Sequence, residues 1–240
     1  MARLPILMYH NVSDDESKSL NLTLSSKKFE QQLQYIVAHK YTSFFVSELE
    51  NKTKIPQKSI VITFDDVTQN QLLYALPLLI KYQVKATFFI PFSFIGATDK
   101  WNDGTEKIMT IEQLKSLHSD YIELGQHSYN HKKYASLSIK EIQEDFDNCN
   151  RIISDNQLKV YPSLAYPYGN YPKKGVQKED FFQSLEKNKI EMAFRIGNRV
   201  NRFPFKNKYE IQRIDIKGED SLFVFKWKLK FGKFGKFGLF

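Results

Sequence analysis

Two groups of side chains in this 240-residue sequence have the types and spacing to do chemistry. The first is the pair Asp65-Asp66, which ends the apolar run Ile60-Val61-Ile62-Thr63-Phe64. Burying one carboxylate is costly and burying two side by side is worse, so the pair asks for a cation or a shared proton. The second is His127-Ser128-Tyr129-Asn130-His131, with two imidazoles four residues apart. On a helical turn that spacing puts both rings on one face, able to grip one ion. Two neutral imidazoles and one carboxylate make a facial ligand set that leaves positions open for water and substrate. A divalent ion in such a set lowers the pKa of a bound water to about 7, and the second carboxylate is then placed to take the water's proton. Each group alone has a plain explanation, a solvated Asp-Asp turn or two exposed helix histidines. Found together, they point to metal-assisted hydrolysis.

The elements that must position these groups read as alternating strands and helices. Strands are predicted at Leu4–Tyr9, Tyr41–Val46, Ile60–Phe64, Val84–Ile90, Tyr121–Gly125, Ser163–Tyr166, Met192–Phe194 and Tyr209–Ile216. Helices are predicted from Ser25 or Ser26 onward, with Phe29, Leu33, Ile36 and Val37 at helical spacing, and over 47–51, 71–82, 110–117, 138–153 and 179–189. Thr110 with Gln113, and Ser138 with Glu141, form capping-box patterns, and Pro77 marks a helix start or a kink. This alternation implies parallel β/α units in one α/β domain. In such folds the site lies at the carboxyl ends of the strands. His10, Asp65, Asp66, His127 and Tyr168 all follow predicted strands closely.

Composition narrows the function classes. The formal charge is +8, from 35 Lys and Arg against 27 Asp and Glu. Lys226, Lys228, Lys230, Lys233 and Lys236 concentrate it at the C-terminus, which leaves only about +3 on the rest, so no nucleic-acid footprint is expected. The single cysteine, Cys149, excludes a disulfide framework or a cysteine-based zinc site within the chain. It is assigned no role, and His39 and His118 are read as surface residues. The N-terminal apolar run is too short for a signal peptide and no stretch is long enough to span a bilayer, so the expectation is a cytoplasmic protein, with membrane association left open.

Thr63-Phe64-Asp65-Asp66, His127-Ser128-Tyr129-Asn130-His131 and Tyr166-Pro167-Tyr168-Gly169, in that order, resemble the first three motifs of the polysaccharide deacetylases, the NodB-homology enzymes of carbohydrate esterase family four. Lys81–Ile90 is similar to the segment that follows the first motif there, and the resemblance covers residues 5 to 216. It implies a distorted, incomplete (β/α) barrel over residues 1–220. It also implies a hydrolase acting on the carbon–nitrogen bond of a linear amide, which removes acetyl groups, N-acetyl first among them, from an amino-sugar polysaccharide or glycan precursor of the cell envelope. In the implied roles, Asp65 is the general base and Asp66, His127 and His131 bind the metal. Tyr168, preceded by Pro167, helps hold the oxyanion. Zinc is the first choice of ion, with nickel, cobalt, iron and manganese as alternatives. The implied partner is an acetylated glycan.

The sequence departs from the family pattern in three places. Val67 stands where a Gly usually follows the Asp pair, Ala165 replaces the Arg of the third motif, and no histidine after residue 131 can supply the usual late general acid. Met8-Tyr9-His10-Asn11-Val12 resembles the N-terminal motif of the biofilm poly-N-acetylglucosamine deacetylases, which makes His10 the candidate acid. Arg213, on an alternating strand, has two readings: a replacement for the missing Arg, or a contact to an anionic group of the substrate. Val67 and Ala165 keep one alternative open, an inactive carbohydrate-binding protein on the same fold. Residues 221–240 are set apart as a basic aromatic tail. Its alternation from Phe225 to Phe231 predicts a final strand with one wet face, or a segment that contacts an anionic membrane surface.

Overall fold

A computed structural model describes residues 1–233. Seven parallel strands close into a barrel: β1 (Ile6–Tyr9), β2 (Ser59–Asp65), β3 (Ala86–Ile90), β4 (Ile122–Gln126), β5 (Val160–Ala165), β6 (Met192–Ile196) and β7 (Ile211–Asp215). Closure comes from β1, which pairs with β7 through Ile214↔Leu7 and with β2 through Leu7↔Ile62. A short extra strand, Thr42–Phe44, pairs with the first residues of β2, below the point where β1 takes over that edge. The α/β barrel expected from the sequence is therefore present, with one strand fewer than the eightfold form.

Strand alternation sorts side chains between lumen and exterior. In β2, Ile60, Ile62 and Phe64 join the large cluster under the helices, whereas Val61 joins the inner cluster with Ile6, Phe89, Ala165, Phe194 and Ile211. Thr63 and Asp65 share the inward parity of Val61. Asp65 is thus the last inward residue of its strand, carried into the barrel by the same period that packs Val61. The other end of the lumen is covered by strands Ala2–Leu4 and Asn201–Phe203, which pair antiparallel and bury Leu4 and Phe203.

Helices α1 (Ser26–Ala38), α2 (Leu76–Tyr82), α3 (Ile111–Lys115), α4 (Ile139–Asp155) and α5 (Gly175–Lys187) surround the barrel. Ser25 caps α1 by accepting from the Lys28 amide, and Phe29, Leu33 and Ile36 form its buried stripe. Both expected capping boxes are present, on α3 and α4. Pro77 lies in the first turn of α2, preceded by a wide π-type turn at Gln71–Ala75. A proline in the first turn removes no hydrogen bond from within that helix.

The C-terminal segment differs from its sequence reading. Leu222–Phe231 is a helix, α6, not a strand. Phe225 and Leu229, four residues apart, pack into the main core, and Lys228 is buried against Asp220. Strict alternation of apolar and cationic residues mimics a strand, but the buried residues follow helical spacing. Residues 234–240 of the basic aromatic tail lie outside the described residues. Among the described residues, no helix is long and apolar enough to cross a membrane.

Candidate active site

The carboxyl ends of β2, β4, β5 and β7 and the segment after β1 converge on a cleft of about 210 Å³. Asp65 forms its floor. Arg213, fully buried on β7, grips that carboxylate with two hydrogen bonds, Nη1 to Oδ1 at 2.5 Å and Nη2 to Oδ2 at 2.7 Å. Nη1 also reaches Thr63 Oγ1 at 3.2 Å, and that hydroxyl donates to the Leu7 carbonyl. Burial opposes ionisation of Asp65, but the Arg213 guanidinium and the nearby imidazoles overcome it and hold the carboxyl far below its usual range. This pairing is the geometry that the first of the two sequence readings of Arg213 describes. Both terminal nitrogens of Arg213 are engaged by Asp65. It enters from the last barrel strand and supplies the guanidinium that Ala165, on β5, does not.

Asp66 leaves the strand in a left-handed conformation (φ 77°), followed by Val67 at φ 44°. A β-branched residue at positive φ is a backbone outlier, and the segment that follows α2 and β3 holds it there. The Met109 amide donates to the Val67 carbonyl, the Gln69 amide donates to the Lys107 carbonyl, and the Val67 side chain is fully buried in the main core. This turn does what a glycine would do more easily. It swings Asp66 off the strand line, so that two adjacent carboxylates reach one cleft.

His127 and His131 come together by a different route from the expected helical turn. Residues 127–133 form an irregular loop with Ser128 (φ 65°) and His131 (φ 51°) left-handed. The loop is pinned by the Phe92 and Ser93 amides, which donate to the Ser128 and Tyr129 carbonyls, and by Asp145 of α4, which accepts from the Tyr129 amide and the Tyr134 hydroxyl. His127 Nδ1 donates to the Ala165 carbonyl at 2.7 Å, which leaves Nε2 as a lone-pair donor. His127 Nε2 and His131 Nε2 lie 3.2 Å apart, and 3.6 and 3.5 Å from Asp66 Oδ1.

These three side chains suit a divalent ion. Burial lowers the pKa of His127 to about 4, and burial with the adjacent imidazole lowers that of His131 to about 2, so both are neutral ligands at pH 7. Burial and the neighbouring Asp65 and Asp99 carboxylates push Asp66 well above the usual carboxylate range. Its Oδ1 is buried without a hydrogen-bond donor. His127 Nε2, His131 Nε2 and Asp66 Oδ1 face a common point, all within 4.8 Å of one another, and form a donor set that a cation completes.

His10 Nε2 lies 3.8 Å from Asp65 Oδ2, and burial lowers its pKa, opposed by the Asp65 charge. Tyr168 (φ 58°) follows buried Pro167 and is half-exposed at the rim, its ring edge-on to His131. Gly169 (φ 61°) packs so closely on Ile196 that a Cβ would lie 2.6 Å from the Ile196 amide nitrogen. This contact fixes the turn carrying Tyr168. All the site residues expected from the sequence are therefore in or beside one cleft.

Three further residues are not apparent from sequence reasoning. Trp101 stacks on His131 at 4.3 Å between ring centroids. Asp99, buried, accepts from the Glu106 amide and from Asn102 and orders the loop that carries Trp101. Asp215 ends β7 two residues after Arg213, and its charge acts on His10. Asp215 has a signal of the kind that exposed Asp65, an acid at a strand end, whereas Trp101 lies in a loop without a pattern. A larger cleft of about 580 Å³ opens beside Ile122–Leu124 and Leu158–Tyr161. Its one carboxylate, Glu123, is half-buried and already accepts from the Ser47 amide and the Thr87 hydroxyl, so size does not mark the site.

A buried Asp-His-His group beside an arginine-held carboxylate at the mouth of a β/α barrel defines a hydrolase-type site. The sequence model of the polysaccharide deacetylase family matches residues 52–185, and the chain belongs to that family. YxkH of Bacillus subtilis is 27% identical over 196 residues, covering 80% of this chain and 64% of its own length. The poly-beta-1,6-N-acetyl-D-glucosamine N-deacetylase of Staphylococcus epidermidis is 26% identical over 206 residues, covering 81% of this chain and 68% of its own. The chain thus spans about two thirds of the length of these relatives. Among solved structures, the Streptococcus pyogenes deacetylase PplD superposes with a TM-score of 0.77 at 22% identity, covering 97% of this chain and 99% of that one. IcaB from Ammonifex degensii gives 0.76 at 20% identity, covering 96% and 97%. These two establish likeness of fold.

Proposed function

We propose that this protein removes N-acetyl groups from a polymer of N-acetylglucosamine, using a divalent ion held by Asp66, His127 and His131, with zinc the first choice. The observation that carries this reading is the division of labour between adjacent carboxylates. Asp65 is held ionised by Arg213, and Asp66 is raised in pKa and lacks a donor partner. One is prepared as a base and the other as a ligand. The name of the Staphylococcus epidermidis relative motivates the choice of polymer.

When bound, the ion supplies Lewis acidity, which polarises the amide carbonyl and makes water a stronger acid. The chain's residues do the rest. Asp65 takes a proton from the attacking water, its orientation fixed by the two bonds from Arg213. The Tyr168 amide, set by the left-handed turn, donates to the oxygen that gains charge in the tetrahedral intermediate. His10, its Nε2 3.8 Å from Asp65 Oδ2, receives the proton that Asp65 takes from the water and passes it to the departing amine. The aromatic walls formed by Trp101 and Tyr168 narrow the cleft around His131 and limit water.

The test is acetate release from β-1,6-linked N-acetylglucosamine oligomers, with β-1,4-linked oligomers alongside. Release that disappears with chelator and returns with zinc is the expected result. No release from either oligomer by metal-replete protein would overturn the proposal.

A further inference from the structure

Helix α6 carries an outer face unlike that of an ordinary surface helix, which presents polar side chains opposite its buried stripe. Its buried stripe is Phe225, Lys228 and Leu229. At the helical period, the opposite direction passes through Phe223, Trp227 and Lys230, with Lys226 and Phe231 at the borders. Phe223 is 65% exposed and Phe231 51% exposed, and the Trp227 ring lies 4.6 Å from that of Phe231. Lys226, Lys230 and Lys233 are exposed around these rings. The Lys226 ammonium lies over Tyr35 and that of Lys230 over Phe231, so the cationic stems already run along aromatic surface. The Arg3 guanidinium joins them by donating to the Lys230 carbonyl. No Asp or Glu occurs from residue 222 to 233.

Large aromatics and lysines mixed on one face, without acidic residues, match one environment best. Rings settle at the boundary between headgroups and acyl chains, while ammonium groups reach lipid phosphates. A dissolved polyanion would engage the lysines and leave the phenylalanines in water. We propose that the outer face of α6 docks this protein on an anionic phospholipid bilayer surface, independently of the deacetylase reading. The helix is firmly tied to the body: Lys228 is paired with Asp220 and donates to the carbonyl of Asp215, a residue that lines the reaction cleft. A docked α6 therefore holds the cleft in a fixed relation to the lipid.

The test is flotation of the full chain with phosphatidylserine-rich vesicles and with pure phosphatidylcholine vesicles at low salt. We compare it with a Lys226→Gln/Lys230→Gln/Lys233→Gln variant and a Phe223→Ser/Phe231→Ser variant. The wild type is expected to float with the anionic vesicles only. The lysine variant should lose about a hundredfold in partitioning, and the aromatic variant about tenfold. Both substitute exposed side chains, and unchanged thermal melts would verify that they fold. Failure of the wild type to float overturns the proposal, as does flotation undiminished in both variants. Flotation that needs the lysines but not the phenylalanines marks a general polyanion patch and also overturns it. So does sedimentation that shows the face buried in a dimer without lipid.

Discussion

Asp65 and Arg213 face each other with side chains 3% and 1% exposed, so neither charge has water to fall back on. Removing one partner of such a pair strands the other charge. Arg213→Met is expected to lower folding stability by about 3–5 kcal/mol, read by urea denaturation. A loss close to zero would mean the pair does not hold the site together. Asp65→Asn preserves shape while removing the basic oxygen. It should retain bound metal, measured by elemental analysis, and lose turnover by about 10²–10⁴-fold. His10→Ala should likewise spare the metal and slow turnover. Unchanged turnover in that variant would remove His10 from the reaction. Asp65, Asp66 and the histidine pair were legible in the sequence because their types and spacing suffice to suggest a ligand set. The partner of Asp65 was legible only as one of two readings for Arg213. The bond joins residues 148 positions apart, and it is the barrel's register that brings them together.

At the scale of the element, the turn after β2 carries the clearest tension. Val67 keeps φ 44° although its side chain is β-branched, and it is fully buried. Strain of about 1–3 kcal/mol opposes burial worth a similar amount. At an ordinary buried site alanine is better tolerated than glycine. Here Val67→Ala loses packing and keeps positive φ, while Val67→Gly loses packing and relieves it. Val67→Gly is therefore expected to be at least as stable as Val67→Ala in thermal unfolding, and the ordinary order would show that the turn stores no strain. The strands and long helices followed from periodicity because local pattern and tertiary burial agree there. They part at two elements. The His127–His131 segment is a loop because Asp145 and the Phe92–Ser93 backbone dictate its path, contacts that helical spacing does not encode. In α6, the lysine that made the alternation look strand-like is buried through an ion pair with Asp220.

For the whole molecule, the barrel gathers charge that the fold alone leaves unbalanced. Asp66 comes from the turn after β2 and His127 and His131 from the loop after β4, and a bound ion would link these separate elements. A ligand that binds only the folded state stabilises it by mass action, by about 2.7 kcal/mol at a hundred times its dissociation constant. Chelation is therefore expected to lower the melting temperature of wild-type protein and to leave that of His131→Ala unchanged. An equal shift in both proteins would place the ion elsewhere. Parallel β/α units were legible from the alternation of strands and helices, and their closure into a barrel only from the family resemblance. The number of strands was not, because closure depends on β1 pairing on both sides.

The central claim is that Asp66, His127 and His131 together hold one divalent ion, with Asp65 beside it and free of it. Anomalous scattering at the zinc edge from crystals of zinc-loaded protein tests this most directly. The account predicts a single strong peak within bonding distance of Asp66 Oδ1, His127 Nε2 and His131 Nε2, with Asp65 still joined to Arg213. A peak on Asp65, or none at the three ligands, would contradict it.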